Sequence, residues 1–542
     1  MEYGSGGYYA DLHQLELGEQ EKMGGQEHGT NEIRDAIYYH VISSRSGSDD
    51  ADARSMTLLR FHAPEQRRAI VLIAAGALLF LLWQFSSPRP TFFANQHSSS
   101  RQSPVQNSGL VEVINSTTQY FIDYPIGSPY KGRFGEQGSR VQTLRSWLSL
   151  ANQTTDVRER EQILNATERA VLATFPFLTD SPGKAISNET PLRDLQQRIV
   201  PGSKGLLIVA GGKQIRYACH LIAAVRRVWQ STLPIQIAYG GEEDFSTKDR
   251  EFVQSLWDGI EFVDGASVFS NETLGLKDEH SGFALKAFAA LASSFEQLVL
   301  LDADVVLLQP PEVLFDQQGY KTQGALLFHD RAVWKGAFTS RKEWYQSQIL
   351  RPSDEVRKLL LWTDDWPPES CDSGIIVMDK SRLDIFMGLL HIAWQNTAAV
   401  RNDTTYQLMY GDKETWWLGW ELSDARYAFE PHYGSMLGWP KEEEKSEDGK
   451  DKVCSYWIAH LDDNEQLLWF NGALLKQKVS DAHSYEVPVQ WMMDGEEWET
   501  NGRFKMRCMV GGTVHDVDEG ERQVFGRMIE AARDVDKVLG VS

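Results

Sequence analysis

Short apolar runs alternate with segments of helical spacing between residues 205 and 308, and this alternation restricts the fold more than any other feature of the chain. The runs with strand character, including two later ones, are 205–212, 233–241, 260–264, 297–308, 324–330 and 374–379. Strands that alternate with helices of about 10–15 residues, such as 281–295, indicate a parallel sheet covered by helices on both faces. We therefore predict an α/β fold whose ligands bind at the carboxyl ends of the strands.

Two carboxylates, Asp302 and Asp304, mark the end of the most apolar strand and are separated by one residue. Carboxylates at this spacing can share one hard cation such as Mn²⁺ or Mg²⁺. A cation at a strand end is suited to hold a diphosphate and to neutralise it as it leaves. The alternative is a structural pair that caps a loop. The position of the pair, after several β/α units, favours the metal and diphosphate site.

Residues 69–85 form an apolar run, AIVLIAAGALLFLLWQF, with the length of a short membrane-spanning helix. Arg54, Arg60, Arg67 and Arg68 precede the run, whereas only Arg89 and Arg101 follow closely. The positive-inside rule then places the N-terminus in the cytosol. A cleaved signal peptide is disfavoured because 68 residues precede the run. We predict a single-pass type II membrane protein, with a buried core helix as the alternative for this segment.

The rest of the chain divides by composition and periodicity. The predicted parts are a disordered cytosolic tail (1–68), a transmembrane signal anchor (69–85), a luminal helical stem (86–195) and a catalytic domain (196–542). A short anchor suits the thinner bilayer of the Golgi or early secretory pathway. The formal net charge of −22 argues against a nucleic-acid partner, which would need a basic face.

Two features beyond the apolar run agree with a luminal location. Six N-x-T sequons lie after it, at Asn115, Asn152, Asn165, Asn188, Asn271 and Asn402. All four cysteines also lie there, at Cys219, Cys371, Cys454 and Cys508. Disulfides can persist in that compartment. The sequence does not choose among the three pairings that four cysteines allow, and buried thiols are the alternative.

Five segments between about residues 200 and 480 resemble the fungal Golgi α-1,3-mannosyltransferases of glycosyltransferase family 71. They are GFALKAFAALASSFEQLVLLDADVVLLQPPEVLF (282–315), GALLFHDR (324–331), DSGIIVMDK (372–380), YGDKETWWLGWEL (410–422) and LWFNG (468–472). The resemblance implies a GT-A-type, Rossmann-like nucleotide-diphospho-sugar transferase domain. It also implies GDP-mannose as the donor substrate and Mn²⁺, or another divalent cation, as the cofactor.

The resemblance assigns donor-binding roles to five residues. Asp302 and Asp304 would hold the metal and the donor diphosphate. Gly211 and Gly212, at the end of the first strand, would let the backbone approach the nucleotide. Lys286, on the helix before the D-x-D strand, would reach a phosphate; a solvated helix lysine is the alternative.

A C-terminal histidine would complete the metal shell, as it does in related GT-A enzymes. The candidate is His460, in the segment WIAHLDD (457–463). His329 and His432 are competing candidates, and a lone histidine is often structural.

Three further carboxylates, Asp372, Asp412 and Glu414, are candidates for catalysis. One of them would face the anomeric carbon or orient the acceptor hydroxyl. The neighbouring tryptophans Trp416, Trp417 and Trp420 allow two interpretations. They form either a platform that stacks on sugar rings or the packed start of a helix.

The linkage of donor and product fixes the stereochemistry. GDP-mannose is α-linked and an α-1,3 product keeps that configuration, so the predicted enzyme retains it. Either the acceptor attacks from the face that the diphosphate leaves, or a carboxylate forms a covalent intermediate. The predicted acceptor is a mannosyl glycan on a glycoprotein.

Three other functions compete with this prediction. An α-1,2-mannosyltransferase of the same family is one. A phosphatase of the haloacid-dehalogenase type also uses a strand that ends in D-x-D, but normally on the first strand of its domain, and at least three strands precede Asp302 here. A membrane-anchored lectin would bind glycans through its tryptophans without a metal and diphosphate site.

Overall fold

The computed structural model describes residues 108–541, except 180, 279–280, 334, 364–366, 368, 441–448 and 501–505. The predicted cytosolic tail, the predicted anchor and the first part of the predicted stem lie outside the described residues. No helix in the described part of the chain has both the length and the apolar composition needed to cross a membrane.

A seven-stranded sheet forms the centre of the described chain, in the order β3-β2-β1-β4-β7-β6-β8. Its strands are β1 (Val200–Val209), β2 (Ile235–Tyr239), β3 (Ile260–Asp264), β4 (Phe295–Asp302), β6 (Ala325–His329), β7 (Cys371–Asp379) and β8 (Ala428–Phe429). The strands β1 to β4 pair in parallel, as their alternation with helices predicts. All six predicted strand regions are confirmed as strands.

The sheet is mixed, so the prediction of a parallel sheet is correct for only part of it. The strand β7 runs antiparallel to both of its neighbours, β4 and β6. The physical reason is the connection between β6 and β7. His329 at the end of β6 pairs with Cys371 at the start of β7, so the chain returns from the same end of the sheet instead of crossing over.

A second, nine-stranded sheet follows the order β16-β17-β10-β9-β11-β12-β5, and β15 joins β9 to β18. Its strands are β5 (Val305–Leu307), β9 (Ser435–Pro440), β10 (Lys452–Ser455), β11 (Ile458–Leu461), β12 (Leu467–Asn471), β15 (Gln490–Met493), β16 (Glu497–Thr500), β17 (Arg507–Val510) and β18 (Thr513–Asp516). The strands β13 (Leu475–Gln477) and β14 (Asp481–Tyr485) form a separate hairpin. The predicted strand at 297–308 is therefore two strands in two sheets.

Helices cover the sheets. They are α1 (Ser108–Asp123), α2 (Phe134–Gln153), α3 (Val157–Thr174), α4 (Pro191–Gln197), α5 (Ile215–Ala223), α6 (Thr247–Leu256), α7 (Asn271–Leu274), α8 (Ser281–Ala292), α9 (Gln318–Gln323), α10 (Thr339–Gln348), α11 (Asp354–Lys358), α12 (Leu383–Gln395), α13 (Ala398–Val400), α14 (Tyr406–Leu408), α15 (Thr415–Leu422) and α16 (Glu519–Leu539). Short 3₁₀ or π turns lie at Pro176–Leu178, Pro182–Lys184, Gly212–Gln214, Ala224–Val228, Gly265–Ser267, Pro311–Phe315, Leu360–Trp362 and Arg401–Thr405.

The local sequence sets the ends of the C-terminal helix α16. The side chain of Asp518 accepts a hydrogen bond from the backbone N–H of Glu521 at 2.7 Å, and the side chain of Glu521 accepts one from the backbone N–H of Asp518 at 2.8 Å. This reciprocal capping satisfies N–H groups that the first turn leaves free. At the other end Gly540 has φ 68°, a left-handed conformation that glycine adopts without a Cβ penalty.

The helices α1 to α4 are part of the same folded unit as the sheets, so the predicted boundary between stem and catalytic domain at 195/196 is wrong. Ile114, Phe134 and Val141 are at most 1% exposed and share one apolar core with Trp394 and Trp416. The helical spacing that predicts this segment is correct. Its apolar face packs on the rest of the chain, which burial favours over leaving it in solvent.

One disulfide joins Cys454 on β10 to Cys508 on β17, and these residues are directly paired across the two strands. Cys219 and Cys371 are buried free thiols. The structure thus chooses one bridge and two buried thiols from the alternatives that the sequence leaves open.

Candidate functional site

The two aspartates of the D-x-D segment lie where the chain passes from the first sheet to the second. Asp302 is the last residue of β4, and β5 begins at Val305. Asp302 is also the pairing partner of Val209, the last residue of β1. Because β7 runs antiparallel to β4, the first residues of β7 lie beside the last residues of β4. The site therefore gathers the carboxyl ends of β1 and β4 with the amino end of β7.

Lys286 of helix α8 contacts Asp302 from the buried side of the site. The ammonium nitrogen of Lys286 lies 2.8 Å from Asp302 Oδ1 and 3.4 Å from Asp412 Oδ1. It also donates to the backbone oxygen and the hydroxyl of Ser373, both at 3.0 Å. Burial opposes the charge of Lys286, but Asp302 and Asp412 raise the pKa of this ammonium above its ordinary value. Lys286 is 4% exposed, so it fixes the position of Asp302 from inside the protein.

The prediction that Lys286 reaches a phosphate is therefore corrected. Its ammonium has three hydrogens, and the oxygens of Asp302 and Ser373 surround them. The solvated-helix alternative is also wrong, because the side chain is buried.

Asp304 is paired with a different lysine, Lys478, which lies in the turn of the β13–β14 hairpin. The Asp304 side chain is 21% exposed and that of Lys478 is 25% exposed, so this pair faces the open side of the site. The backbone oxygen of Asp304 accepts hydrogen bonds from the N–H groups of Gly472 at 3.3 Å and Ala473 at 2.7 Å. These bonds tie the D-x-D turn to the end of β12.

His460 contacts Asp372 and not the D-x-D pair, which corrects its predicted place in a shared metal shell. Its Nε2 lies 3.2 Å from Asp372 Oδ2, and its ring stacks on Trp469 with the centroids 4.1 Å apart. Asp372 also accepts from the N–H of Gly374 at 2.9 Å and from the amide of Asn471 at 3.2 Å. The physical reason is register, because β11 brings His460 opposite Trp469 of β12, over the start of β7.

The competing histidines lie in other surroundings. The ring of His329 stacks between Phe429 and Tyr433, with centroid distances of 4.2 and 4.1 Å. His432 Nδ1 lies 2.8 Å from Glu430. The partners of these two histidines do not include Asp302 or Asp304. Across the described residues, no group of three or more His, Cys, Asp and Glu side chains is arranged to hold a metal ion.

A second buried ion pair flanks the Asp372–His460 pair. Lys413 binds Asp330, which follows β6, and Arg331 Nε lies 3.4 Å from Asp330 Oδ1. Burial opposes ionisation of Asp330, but Lys413 and Arg331 hold the pKa of this carboxyl below its ordinary value. Burial likewise opposes ionisation of Asp372, and His460 and Lys413 lower the pKa of that carboxyl. Both carboxylates are therefore anions at neutral pH.

The other two predicted catalytic carboxylates are buried beneath the site. Asp412 is 1% exposed and accepts from the indole of Trp416 at 2.8 Å. Glu414 is 0% exposed and accepts from the backbone N–H of Cys371 at 2.8 Å and from the indole of Trp417 at 2.6 Å. Burial and the nearby Glu369 raise the pKa of Glu414. Both side chains hold the 409–414 loop against β7 and helix α15.

The three tryptophans of α15 belong to the core. Trp416, Trp417 and Trp420 are each 0% exposed, so the packed-helix interpretation is confirmed and the sugar-stacking platform is wrong. Every residue of α15 is buried, because the helix lies between α12 and the remaining core. A helix that is apolar on all sides is the expected signature of such a position.

Gly211 and Gly212 follow β1 as predicted. Gly211 lacks room for a side chain, because the Asp244 carboxylate approaches it closely. A Cβ on Gly211 would lie 2.2 Å from Asp244 Oδ1, so the Asp244 carboxylate uses the space beside this glycine. The Asp244 carboxylate also accepts from the N–H of Gly240 at 2.8 Å. The carboxylate thereby bridges the ends of β1 and β2. The role of the two glycines toward a nucleotide stays a prediction.

The structure adds residues that the sequence interpretation did not select. They are Lys478, Lys413, Asp330 and Asn471. Lys413, Asp330 and Asn471 lie within segments that carry the family resemblance. Their position in those segments was the one sequence feature that could have identified them as site residues. Lys478 lies outside those segments.

Asp302 and Asp304 fit a divalent cation on the chemistry of their donors. Hard cations such as Mg²⁺ are often held by one or two carboxylates together with waters and substrate phosphates. Both aspartates are more than a fifth exposed, on the side where a substrate could supply those phosphates. A cation at Asp304 would take the place of the Lys478 ammonium, since both would neutralise the same carboxylate.

Comparison of the sequence with known proteins shows which proteins this chain resembles. Residues 203–462 match the model of a family described as Mannosyltransferase putative. The chain is 29% identical over 289 residues to alpha-1,3-mannosyltransferase MNT3 of Saccharomyces cerevisiae, covering 47% of this chain and 44% of that protein. It is 26% identical over 305 residues to alpha-1,3-mannosyltransferase MNT2 of the same yeast, covering 53% and 54%. The chain thus spans about half the length of these curated relatives.

Similarity to solved structures is weak. The mannosyltransferase Ktr4p of S. cerevisiae aligns with 59% of this chain and 83% of its own, at 11% identity and a TM-score of 0.28. The similarity to mannosyltransferases rests on the sequence comparisons and not on these alignments. The matched segment contains Asp302, Asp304, Asp372, Asp412 and His460. The resemblance to the fungal α-1,3-mannosyltransferases is confirmed by the match of residues 203–462 and by relatives at 26–29% identity.

Proposed function

We propose that this chain is a type II Golgi membrane enzyme that transfers mannose from GDP-mannose to mannosyl glycans of glycoproteins, with retention and in α-1,3 linkage. The catalytic part, of GT-A type, faces the lumen. The observation that carries the proposal is the pair Asp302 and Asp304 at the junction of the two sheets, inside the segment that matches the family. Relatives at 26–29% identity are named α-1,3-mannosyltransferases.

The proposed donor site uses Asp302 and Asp304 to hold Mn²⁺, or another divalent cation, and through it the diphosphate of GDP-mannose. A cation bound there supplies charge that stabilises the leaving diphosphate. Lys286 keeps Asp302 in place, since it binds Asp302, Ser373 and Asp412 together. The tie from Asp304 to Gly472 and Ala473 keeps the second aspartate aligned with the first.

Attack from the same face is the retaining mechanism that the carboxylates favour. A covalent intermediate would need a carboxylate oxygen that reaches the anomeric carbon. Asp372, Asp412 and Glu414 are each at most 1% exposed, and protein donors bind their oxygens. Proteins rarely leave such buried carboxylates free to form a new bond. We therefore assign these three residues to positioning the site.

The alternatives fare differently. Asp302 lies on the fourth strand along the chain of the first sheet, which disfavours the phosphatase. The burial of Trp416, Trp417 and Trp420 removes the observation that favoured a lectin. An α-1,2-mannosyltransferase shares the proposed donor site, and only the product distinguishes it.

The test is transfer by the purified full-length protein with a panel of sugar nucleotides, Mn²⁺ and mannosyl oligosaccharides. We expect transfer from GDP-mannose, an α-anomeric product and a 1,3 linkage by NMR. The Asp304→Asn variant serves as the inactive control. A 1,2 linkage in the product would show that the chain is an α-1,2-mannosyltransferase instead. Absence of transfer from every sugar nucleotide would overturn the proposed function.

The proposed orientation has a separate test. Proteases added to intact vesicles should remove only the tail before about residue 68, and glycosidase should lower the apparent mass. The asparagines of all six sequons are exposed on the structure, which is consistent with glycans at these positions. Protection of the tail together with an unchanged mass would contradict the orientation.

A further inference from the structure

The β13–β14 hairpin carries Lys478 to Asp304 of the D-x-D turn and is anchored along its second strand, β14. Arg216 of helix α5 donates to the backbone oxygen of Ala482, close to the hairpin turn, at 2.8 Å. The hydroxyl of Tyr485, at the other end of β14, binds Asp536 of helix α16, and Arg216 Nη2 lies 2.7 Å from the same carboxylate. Helices α5 and α16 therefore hold the strand β14 in place.

The turn of this hairpin is less enclosed than the strand β14. Val479 is 54% exposed, and the neighbouring Lys478 extends back to Asp304. A lysine stem that lies along the protein surface with its ammonium on one carboxylate can move without unfolding the strands. With β14 anchored and the turn exposed, the Lys478 side chain is the part of the hairpin that can change partner.

The ammonium of Lys478 occupies the position beside Asp304 where a divalent cation is proposed to bind. Its ammonium forms an ion pair with the Asp304 carboxylate, and both side chains are partly exposed. A positive charge of the protein therefore lies next to the carboxylate that is proposed to bind a divalent cation. A metal at Asp304 displaces this ammonium by like-charge repulsion, and the displaced ammonium then needs another anion nearby.

We propose that Lys478 is a donor-sensing residue that binds Asp304 when the site is empty and transfers to the diphosphate of the sugar nucleotide when metal and donor enter. The inference rests on the proposed function, because it takes a nucleoside diphosphate as the ligand. Lys286 does not perform this task, since Asp302, Ser373 and Asp412 already surround its ammonium.

The proposal makes two predictions of opposite sign for one variant. Without nucleotide, Lys478 competes with the metal for Asp304. Lys478→Gln should therefore strengthen Mn²⁺ binding by about two- to fivefold, the range for a partly exposed ion pair. With Mn²⁺ saturating, the same variant lacks a charged donor for the diphosphate. Its affinity for GDP should fall by about 10- to 100-fold, as expected for a lost hydrogen bond to a charged group.

The experiment measures binding, so it does not depend on turnover. Mn²⁺ binding and GDP binding are measured by calorimetry on the full-length protein in detergent. Binding at the site is defined as the part that Asp304→Asn removes. The matched control is Lys476→Gln, two residues away, whose ammonium binds Glu486 at 2.6 Å and lies 4.6 Å from the Trp439 ring centre. The control should leave both affinities unchanged.

The outcomes separate this inference from the proposed function. If the wild-type protein binds no GDP in the presence of Mn²⁺, the proposed function fails and the inference fails with it. If the wild-type protein binds GDP but Lys478→Gln changes neither affinity, or lowers both together, the inference alone is overturned. A Lys476→Gln variant with the same pair of changes would also overturn it, because the effect would not belong to Lys478.

Discussion

Asp302 and Asp304 have the same proposed role but different surroundings, and their substitution should separate activity from stability. Asp302→Asn and Asp304→Asn should each lower mannose transfer by about 10²–10⁴-fold, the usual range for lost stabilisation of a leaving group. Only Asp302→Asn should also lower the free energy of unfolding, by about 1–3 kcal/mol, because it weakens the pairing of the buried Lys286. The lysine that pairs with Asp304, Lys478, is 25% exposed, whereas Lys286 is buried.

Both effects can be measured on the same preparations, by transfer assay and by chemical unfolding. Near wild-type transfer by both variants would contradict the donor site. Equal stability of the two variants would contradict the different roles given to Lys286 and Lys478.

His460 should act on the reaction through Asp372 and not through the metal. His460→Ala removes the ring that binds Asp372 Oδ2 and stacks on Trp469, so we expect reduced transfer. The Mn²⁺ concentration that gives half-maximal activity should stay within about twofold of the wild-type value, because a missing metal ligand would raise it far more. Titration of Mn²⁺ against activity measures this. Rescue of the variant at high Mn²⁺ would restore the original assignment of His460 as a ligand.

At the scale of one element, a buried lysine that follows β7 caps the C-terminal end of helix α8. Lys380 donates to the backbone oxygens of Ala290 at 2.9 Å and Ser293 at 2.6 Å. Burial lowers the pKa of Lys380 to about 7 from an unfolded value of 10.5. Between these two values the unfolded chain binds a proton that the folded chain releases. Stability therefore rises with pH across this window, and the contribution of Lys380 does not change with pH below it.

Lys380→Met should remove this contribution. The difference in the free energy of unfolding between wild type and variant should change by up to about 1.4 kcal/mol per pH unit between pH 7 and 10. Urea unfolding at several pH values measures it. Lys358→Met is the control, since the Lys358 side chain is 72% exposed. A difference that stays constant with pH would show that Lys380 is charged in the folded protein.

The elements that the sequence predicts well are those with a strong local signal. The strand β3 has the predicted bounds, Ile260–Asp264, and Asp302 ends an apolar strand as expected. The burial of α15 on all sides was not available from its tryptophans, because Trp416, Trp417 and Trp420 lie within about 100° of one helix face. That spacing fits both a one-sided platform and a packed helix, and only the structure shows that every residue of α15 is buried.

The parts that the sequence did not predict depend on contacts between distant residues. Lys478 is 174 positions from Asp304, and His460 is 88 positions from Asp372. No periodicity of either segment indicates which carboxylate its side chain meets. The choice of Lys286 as the phosphate lysine failed for the same reason, since its burial depends on Ser373 and Asp412. The strands and the position of the D-x-D pair at a strand end could be predicted, but the pairing of charges around that pair could not.

At the scale of the whole molecule, the N-terminal helices and the sheets form one folding unit. Phe134 of α2 is 0% exposed, and its ring centroid lies 5.0 Å from those of both Trp344 and Trp394. Gln142 donates to the backbone oxygen of Leu422 at 2.8 Å. A Cβ on Gly138 would lie 2.4 Å from the same oxygen, so α2 approaches the end of α15 more closely than another residue would permit. The helices α1 to α4 are therefore structural parts of the catalytic unit.

A chain that starts at residue 196 should therefore fail to fold, whereas a chain that starts at residue 108 should fold and keep its donor site. The shorter chain exposes the apolar surface that Phe134, Val141 and the other buried residues of α1 to α4 cover. Loss of one such side chain already has a large effect, and we expect Phe134→Ala to cost about 3–5 kcal/mol. Tyr124→Ala should cost little, because Tyr124 is 61% exposed. Soluble yield, circular dichroism and thermal unfolding of the two truncated chains measure the difference. A cooperative unfolding transition in the chain from 196 would contradict the single unit, and it would restore the predicted boundary between stem and catalytic domain.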